Sequence, residues 1–222
     1  MSFPGRAFRD RADAGRALAG KLAHYAQSPN VVVLGLPRGG VPVAYEVAVA
    51  LGAPLDVFVV RKLGVPGHVE LAMGAIADGG VRVVNESVTE ALGLGEAVIE
   101  EVATREGTEL ARRQQAYREG RPPLDVSGKV VIVVDDGLAT GATMRVAVVA
   151  LRTHGPARIV VAVPVGARST CGELQGEADE VVCLRAPLTF MAVGQWYQDF
   201  SPTTDEEIRA LLARSSGPAR PD

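Results

Sequence analysis

Runs of β-branched and other apolar residues recur along this chain, and each predicts a strand that is buried on both faces. Between the runs, apolar residues fall at the three- and four-residue spacing of helices that cover a sheet. The strand runs are 31–36, 55–60, 130–134, 158–165 and 180–184, and the main helical segments are 8–25, 41–51, 97–118, 143–153 and 168–175. This alternation predicts an α/β fold with a doubly wound, mainly parallel five-stranded sheet and flanking helices.

Residues 61–95 interrupt the alternation. Glycine and proline at 64, 66 and 67 predict a loop after the second strand, and two apolar segments, 70–77 and 81–85, predict a hairpin around Asp78-Gly79-Gly80. A single domain is expected over residues 1–214, because 222 residues suffice for one α/β core with an appendage. Residues 215–222, rich in Ser, Gly and Pro, are predicted to be a disordered tail.

Composition narrows the functional classes. Lys plus Arg number 23 against 26 for Asp plus Glu, so the net charge of −3 gives no reason to expect a nucleic-acid partner. No apolar run approaches the ~20 residues of a membrane span, and the first fifteen residues lack the apolar core of an export signal. We therefore expect a cytoplasmic protein. Cys171 and Cys183 match neither a zinc knuckle nor a C-x-x-C pair, which predicts reduced, partly buried thiols.

The segment V-V-I-V-V-D-D-G-L-A-T-G-A-T-M, residues 130–144, carries the most specific chemistry. A buried strand ends on Asp135 and Asp136, at the sheet edge where open α/β folds bind ligands. A small-residue turn then leads into a helix whose first N–H groups favour an anion. The predicted phosphate-binding residues are Ala139, Thr140, Gly141, Ala142 and Thr143. Carboxylates accept hydrogen bonds from hydroxyl groups, so the two aspartates indicate a ribose, with a metal ion nearby.

A second strand-to-helix turn reads Pro37-Arg38-Gly39-Gly40. Two adjacent glycines let the backbone approach a ligand closely, and an arginine can contact two phosphate oxygens at once. Taken alone, the same turn is also compatible with an ordinary βα connection that carries a surface arginine.

Together the two segments resemble type I phosphoribosyltransferases, through the phosphoribosyl pyrophosphate (PRPP) motif at 130–144 and the pyrophosphate loop at 37–40. The resemblance implies transfer of a 5-phosphoribosyl group from PRPP to a nitrogenous acceptor, such as a nucleobase, with release of pyrophosphate and help from Mg²⁺. It implies ribose binding and indirect metal contact by Asp135 and Asp136. Pyrophosphate is expected at Pro37, Arg38, Gly39, Gly40, Arg61 and Lys62, and the catalytic set is Arg38, Lys62, Asp135 and Asp136.

The resemblance also implies a mobile lid loop after the second strand, a small hood built from about 61–95 and 186–202, a cis peptide between Pro37 and Arg38, and a homodimer. The chain has Ala139 where hypoxanthine-guanine enzymes carry an aspartate that interacts with the base. Adenine and uracil enzymes share this alanine, so the identity of the acceptor stays open. Glu70 is a candidate general base in the lid.

Aromatic residues concentrate in 190–200, which contain the only Trp of the chain. Aromatic rings stack on planar bases, so Phe190, Val193, Trp196 and Tyr197 are candidates for a hood over the acceptor. Packing of a C-terminal flap or a subunit contact explains the cluster equally well. Two other classes also stay open: a PRPP-sensing regulatory protein that has lost catalysis, and an α/β protein that binds an unrelated phosphorylated ligand.

Overall fold

The computed structural model describes residues 7–215, without the side chains of Val69 and Glu70. The prediction of a general base at Glu70 therefore lies outside the described part of the chain. So does the predicted tail, apart from Ser215, which is the last residue of a helix.

Five parallel strands form the main sheet, as the alternation of strands and helices predicted. They are β1 (Val31–Gly35), β2 (Leu55–Val57), β6 (Val130–Val134), β7 (Arg158–Val165) and β8 (Glu180–Arg185). Their order across the sheet is β2-β1-β6-β7-β8. In the central pair, Val31 lies opposite Val130 and Gly35 opposite Val134. Every residue of β1 and four of the five in β6 are buried, which explains the uninterrupted apolar runs.

Helices cover both faces of this sheet. One face packs against α1 (Arg11–Ala19), α2 (Gly40–Leu51), α7 (Asp205–Ser215) and the C-terminal half of α4 (Glu96–Arg118). The other face packs against α5 (Ala142–Thr153) and α6 (Arg168–Leu174). Helix α1 is shorter than the predicted 8–25, because it begins after the Asp10 cap and gives way at Gly20 to an irregular turn.

A second, antiparallel sheet follows β2 and contains β3 (Val60–Val65), β4 (His68–Ala77) and β5 (Arg82–Val84). The hairpin predicted around Asp78-Gly79-Gly80 is present between β4 and β5. The loop predicted at 61–68 is wrong, because most of that segment is strand β3, which pairs with β4 and turns back only at Pro66-Gly67. Leu63 and Val65 are buried there. The burial of these alternating apolar residues favours a strand, although the glycines indicate a loop.

The small sheet is joined to the main sheet by a buried charged cluster. Arg118, near the end of α4, contacts the carboxylate of Asp56 in β2 at 3.0 Å and that of Asp78 in the β4–β5 turn at 2.6 Å. Its Nη2 also donates to the carbonyl oxygen of Val57. Helix α4 thus contributes buried residues to the packing of both sheets. Helix α3 (Glu86–Ala91) follows β5, the last strand of the second sheet.

The two cysteines are not the reduced thiols that the sequence predicted. Cys171 of α6 and Cys183 of β8 form a disulfide, with Cα atoms 6.5 Å apart. Residues twelve apart meet because α6 packs on the face of the sheet to which the Cys183 side chain of β8 also turns, a juxtaposition that spacing alone does not reveal. In residues 7–215, no helix combines the length and the apolar character needed to cross a membrane.

Candidate active site

The main sheet changes winding direction between β1 and β6. Helix α2 follows β1 and packs on one face, whereas α5 follows β6 and packs on the other. The loops after these two adjacent strands therefore diverge and leave a crevice at the carboxyl edge of the sheet, where doubly wound folds bind their ligands. Both motifs singled out in the sequence lie at this crevice.

The Pro37–Gly40 turn packs directly on the acid pair. A Cβ atom added to Gly39 would overlap the carboxylate of Asp136, and one added to Gly40 would lie 2.6 Å from the carbonyl oxygen of Val134 and 2.8 Å from Cα of Asp135. Only glycine permits this approach at either position. The peptide between Pro37 and Arg38 is cis, in agreement with the expectation from the resemblance.

The two aspartates are held by hydrogen bonds within the site. Oδ1 of Asp135 accepts from the backbone N–H of Asp136 at 2.8 Å, and Oδ2 of Asp136 accepts from Nε of Arg11 at 2.8 Å. Burial, and then the charge of Asp136, raise the pKa of Asp135 well above its usual value. Burial also raises the pKa of Asp136, and Arg11 opposes this shift.

The predicted phosphate loop leads from the acid pair into α5. Gly141 adopts a left-handed conformation with φ of 72°, which glycine accepts without strain, and α5 begins at Ala142. The side chains of Thr140 and Thr143 are exposed. The hydroxyl of Thr170 in α6 donates to the carbonyl oxygen of Ala139 at 2.7 Å, so a neighbouring helix supports the loop from behind.

Arg38 reaches from the glycine turn toward the surface. Its side chain is 49% exposed, and Nε lies 3.7 Å from the carboxylate of Asp205 at the start of α7. Asp205 also accepts a hydrogen bond from the hydroxyl of Tyr117. Because this contact is long and largely solvated, it is a weak tether that a phosphate group could replace.

Arg61 and Lys62 are not joined to the glycine turn in this conformation. Arg61 lies in β3 and donates through Nε and Nη2 to Glu106 of α4, at 3.1 and 2.5 Å. Lys62 is on the exposed side of the same strand. The second sheet therefore holds both cations, which the sequence had placed in a flexible loop.

The C-terminal aromatic segment lies against the acid pair, and two of its aromatic side chains are buried. Trp196 is 4% and Tyr197 6% exposed, and both pack with Phe8, Ala14 and Val165. This burial favours the packing alternative for Trp196, because a stacking platform needs an accessible ring face. The Tyr197 hydroxyl donates to the carbonyl oxygen of Asp136 at 2.6 Å. Phe190 and Val193 are only partly buried, and Val193 lies against Gly137.

Arg11 is the site residue that sequence reasoning missed. It lies in a helical segment that carries no recognisable motif, and nothing in the sequence links it to Asp136, 125 positions away. Thr170 and Asp205 were missed for the same reason. Only the folded chain brings these residues to the crevice.

Among residues 7–215, no group of three or more His, Cys, Asp or Glu side chains is arranged to hold a metal ion. The acid pair still offers carboxylate oxygens, the ligand type that Mg²⁺ prefers, and this ion is often held by one or two carboxylates with substrate phosphates and water. The residues present thus fit a metal ion whose remaining ligands come from a phosphorylated substrate.

Comparison with known proteins agrees with this geometry. The family model for the phosphoribosyl transferase domain matches residues 7–196. The chain belongs to the phosphoribosyltransferase family, and its mainly parallel five-stranded sheet is the type I fold of that family.

Among individual proteins, the chain is 50% identical over 208 residues to "Putative phosphoribosyl transferase Rv0571c" of Mycobacterium tuberculosis H37Rv, a match that covers 94% of this chain and 47% of that protein. The chain thus spans about half the length of this relative. The crystal structure of TT1426 from Thermus thermophilus is 44% identical, with a TM-score of 0.84, and the match covers 96% of this chain and 100% of that one. A shorter match, 49% over 59 residues, links 26% of the chain to 32% of "Bifunctional protein PyrR" from Thermus thermophilus.

Proposed function

We propose that this chain transfers the 5-phosphoribosyl group of PRPP to a nitrogenous acceptor, a nucleobase being the favoured class, and releases pyrophosphate. The observation that carries the proposal is the contact of Gly39 and Gly40 with the acid pair at the switch point of the sheet. That contact joins a loop suited to pyrophosphate, two carboxylates suited to ribose and a loop suited to phosphate in one crevice.

The 5′-phosphate would lie in the loop 139–143. Its negative charge is favoured by the first N–H groups of α5, which have no partner within the helix, and by the helix dipole. The exposed hydroxyls of Thr140 and Thr143 add neutral donors at the same place. Because a nucleoside monophosphate has the same 5′-phosphate, it should occupy this loop as well.

The ribose would lie over Asp135 and Asp136, whose carboxylates accept hydrogen bonds from its hydroxyl groups. Arg38 would exchange its long contact with Asp205 for the pyrophosphate, with the backbone of Gly39 and Gly40 approaching the same group. Lys62 is proposed as a second cation for the pyrophosphate. Arg61 would have to exchange its contact with Glu106 to take part.

Mg²⁺, when bound with PRPP, would neutralise part of the pyrophosphate charge, and Asp135 and Asp136 would hold it through ribose hydroxyls or water. The chain itself would contribute position and electrostatics. During the reaction the bond from C1 to the pyrophosphate oxygen breaks, a bond from C1 to the acceptor nitrogen forms, and the acceptor loses a proton. Fixing donor and acceptor in line and stabilising the leaving pyrophosphate at Arg38 are the main effects.

The acceptor would lie on the open side of the crevice, near Phe190 and Val193. Ala139 offers the acceptor no carboxylate, and the buried Trp196 offers it no accessible ring face. The side chains of this chain therefore constrain the identity of the acceptor less than that of the donor. We also propose that the protein is cytoplasmic and that it forms a homodimer. Light scattering of the purified chain would test the dimer.

Turnover tests the proposal. The purified protein would be incubated with PRPP, Mg²⁺ and a panel of purines, pyrimidines and other amines, and pyrophosphate release would be measured with and without each acceptor. We expect acceptor-dependent release with at least one nucleobase. Binding of PRPP without release for any acceptor would indicate the sensing protein instead, and absence of PRPP binding would contradict both.

A further inference from the structure

Arg11, the first residue of α1, makes three contacts around the acid pair. Its Nε donates to Oδ2 of Asp136 at 2.8 Å, and its Nη1 donates to the carbonyl oxygen of Ser201 at 2.7 Å. The guanidinium carbon lies 4.1 Å from the centre of the Phe200 ring. One planar cation thus joins the motif aspartate to the C-terminal aromatic segment.

This ion pair is partly removed from water, with the Arg11 and Asp136 side chains only 12% and 15% exposed. Buried ion pairs are weak sources of stability, because desolvation cancels much of their attraction. Stability of the fold is therefore a poor explanation for a cation at this position. Orientation of Asp136 is a better one, since a carboxylate held on one oxygen presents the other in a fixed direction.

A second contact fixes the backbone of the same residue. The Tyr197 hydroxyl donates to the backbone carbonyl of Asp136, and the Tyr197 and Phe200 rings lie 5.1 Å apart. Asp136 is therefore held at its carboxylate by Arg11 and at its backbone by Tyr197, and both of these residues contact Phe200. The pyrophosphate turn borders this arrangement too, because a Cβ on Gly39 would lie 3.1 Å from Nε of Arg11.

We propose that Arg11 is a positioning residue for the phosphoribosyl donor: it holds the Asp136 carboxylate in the orientation that accepts the ribose hydroxyls and anchors residues 197–201 beside it. The inference rests on the proposed function, because it assigns ribose binding to Asp136. Arg11 itself contacts neither phosphate loop through a hydrogen bond in the described residues, so its effect on the donor passes through the aspartate.

The test uses ligands that differ in the ribose. Arg11→Met keeps an unbranched side chain of similar length but removes the charge and both hydrogen bonds. We expect its affinity for PRPP, measured by calorimetry with Mg²⁺, to fall about tenfold or more, whereas inorganic pyrophosphate, which lacks the ribose, keeps its affinity within about twofold. In turnover, KM for PRPP should rise by a larger factor than kcat falls.

Arg11→Lys supplies a second readout. Lysine keeps the charge and one hydrogen bond to Asp136, but it cannot reach Ser201 with a planar fork at the same time. It should therefore recover part of the lost PRPP affinity, which a purely structural role would not predict. Arg9→Met is the matched control, because Arg9 lies two residues away and its exposed side chain pairs with Asp13 at the surface.

The outcomes separate this inference from the proposed function. Wild-type protein that binds no PRPP contradicts the proposed function itself. Wild-type protein that binds PRPP, together with unchanged PRPP affinity in Arg11→Met, overturns the positioning role alone. Equal losses for PRPP and pyrophosphate would also overturn it, since they would mean that Arg11 supports the glycine turn or the fold in general.

Discussion

Thr170 of α6 donates a hydrogen bond of 2.7 Å to the carbonyl oxygen of Ala139, and so ties a neighbouring helix to the predicted phosphate loop. Its methyl group faces the same loop, because a Cβ on Gly141 would lie 2.7 Å from Cγ2 of Thr170. The loop is thus supported on a side that no ligand would occupy.

Replacing Thr170 by Val keeps the methyl contact and removes the hydrogen bond. We expect PRPP and a nucleoside monophosphate to lose affinity by similar factors of about fivefold, since about 1 kcal/mol of loop support is lost and both ligands use this loop. Calorimetric titration of each ligand measures the effect. Thr153→Val is the control, because it removes a hydroxyl-to-carbonyl bond of the same length, 2.7 Å, at the far end of α5; an equal loss there would refute the specific role of Thr170.

Replacing Arg38 by Ala separates the two phosphate sites. PRPP and pyrophosphate should lose about 2 to 3 kcal/mol of binding free energy, or roughly 30- to 150-fold in affinity, because a charge-assisted contact disappears. A nucleoside monophosphate does not occupy the pyrophosphate loop and should bind nearly as before. If all three ligands weaken equally, the Pro37–Gly40 turn has a structural role only.

Much of this architecture could be predicted from the sequence. The five parallel strands follow from the apolar runs, and the glycine-rich turns after β1 and β6 follow from small residues at strand ends; both are local signals. The contact of Arg11 with Asp136, the buried Arg118 cluster and the disulfide could not be predicted, since each depends on residues brought together by tertiary folding. The strand at 60–65 forms although Gly64 and Pro66 are typical of a loop, because Leu63 and Val65 are buried and the segment pairs with β4.

The acid pair predicts an unusual pH dependence. The pKa of Asp135 is raised by burial, so the folded state binds a proton that the unfolded chain, with a pKa of about 3.9, has already released. The contribution of the Asp135 carboxyl to the stability of the fold is fully present below its pKa in the unfolded chain. It is lost as the pH rises through the higher pKa that this group has in the folded protein. At neutral pH, the buried carboxyl therefore destabilises the protein without ligand.

Asp135→Asn should accordingly raise Tm at neutral pH, by about 2 to 4 °C for each kcal/mol of relieved burial, and should weaken PRPP binding. Thermal unfolding between pH 5 and 8 measures the first effect. Asp199→Asn gives the opposite sign as a control, because hydrogen bonds from Ser201 lower the pKa of that exposed carboxyl. A lower Tm for Asp135→Asn across this range would contradict the assignment of a destabilising acid.

Burial of Trp196 predicts a stability role. Trp196→Ala should cost about 3 to 5 kcal/mol of unfolding free energy, because it leaves a cavity among Phe8, Ala14 and Val165. Leu188→Ala, at a side chain that is 84% exposed in the same C-terminal segment, should change stability by less than about 0.5 kcal/mol. A stable Trp196→Ala protein with a selectively raised acceptor KM would instead restore the stacking role.

The central claim, that loop 139–143 binds the 5′-phosphate of PRPP, is tested most directly by calorimetric titration of the wild type and of a Thr140→Ala, Thr143→Ala double variant with PRPP and Mg²⁺. Both residues are exposed, Thr140 in the loop and Thr143 in the first turn of α5, so the fold should tolerate the loss of their hydroxyls. We predict that the wild type binds and that the double variant binds PRPP and a nucleoside monophosphate at least about tenfold more weakly. Unchanged affinity in the double variant, or no binding by the wild type, would contradict the account.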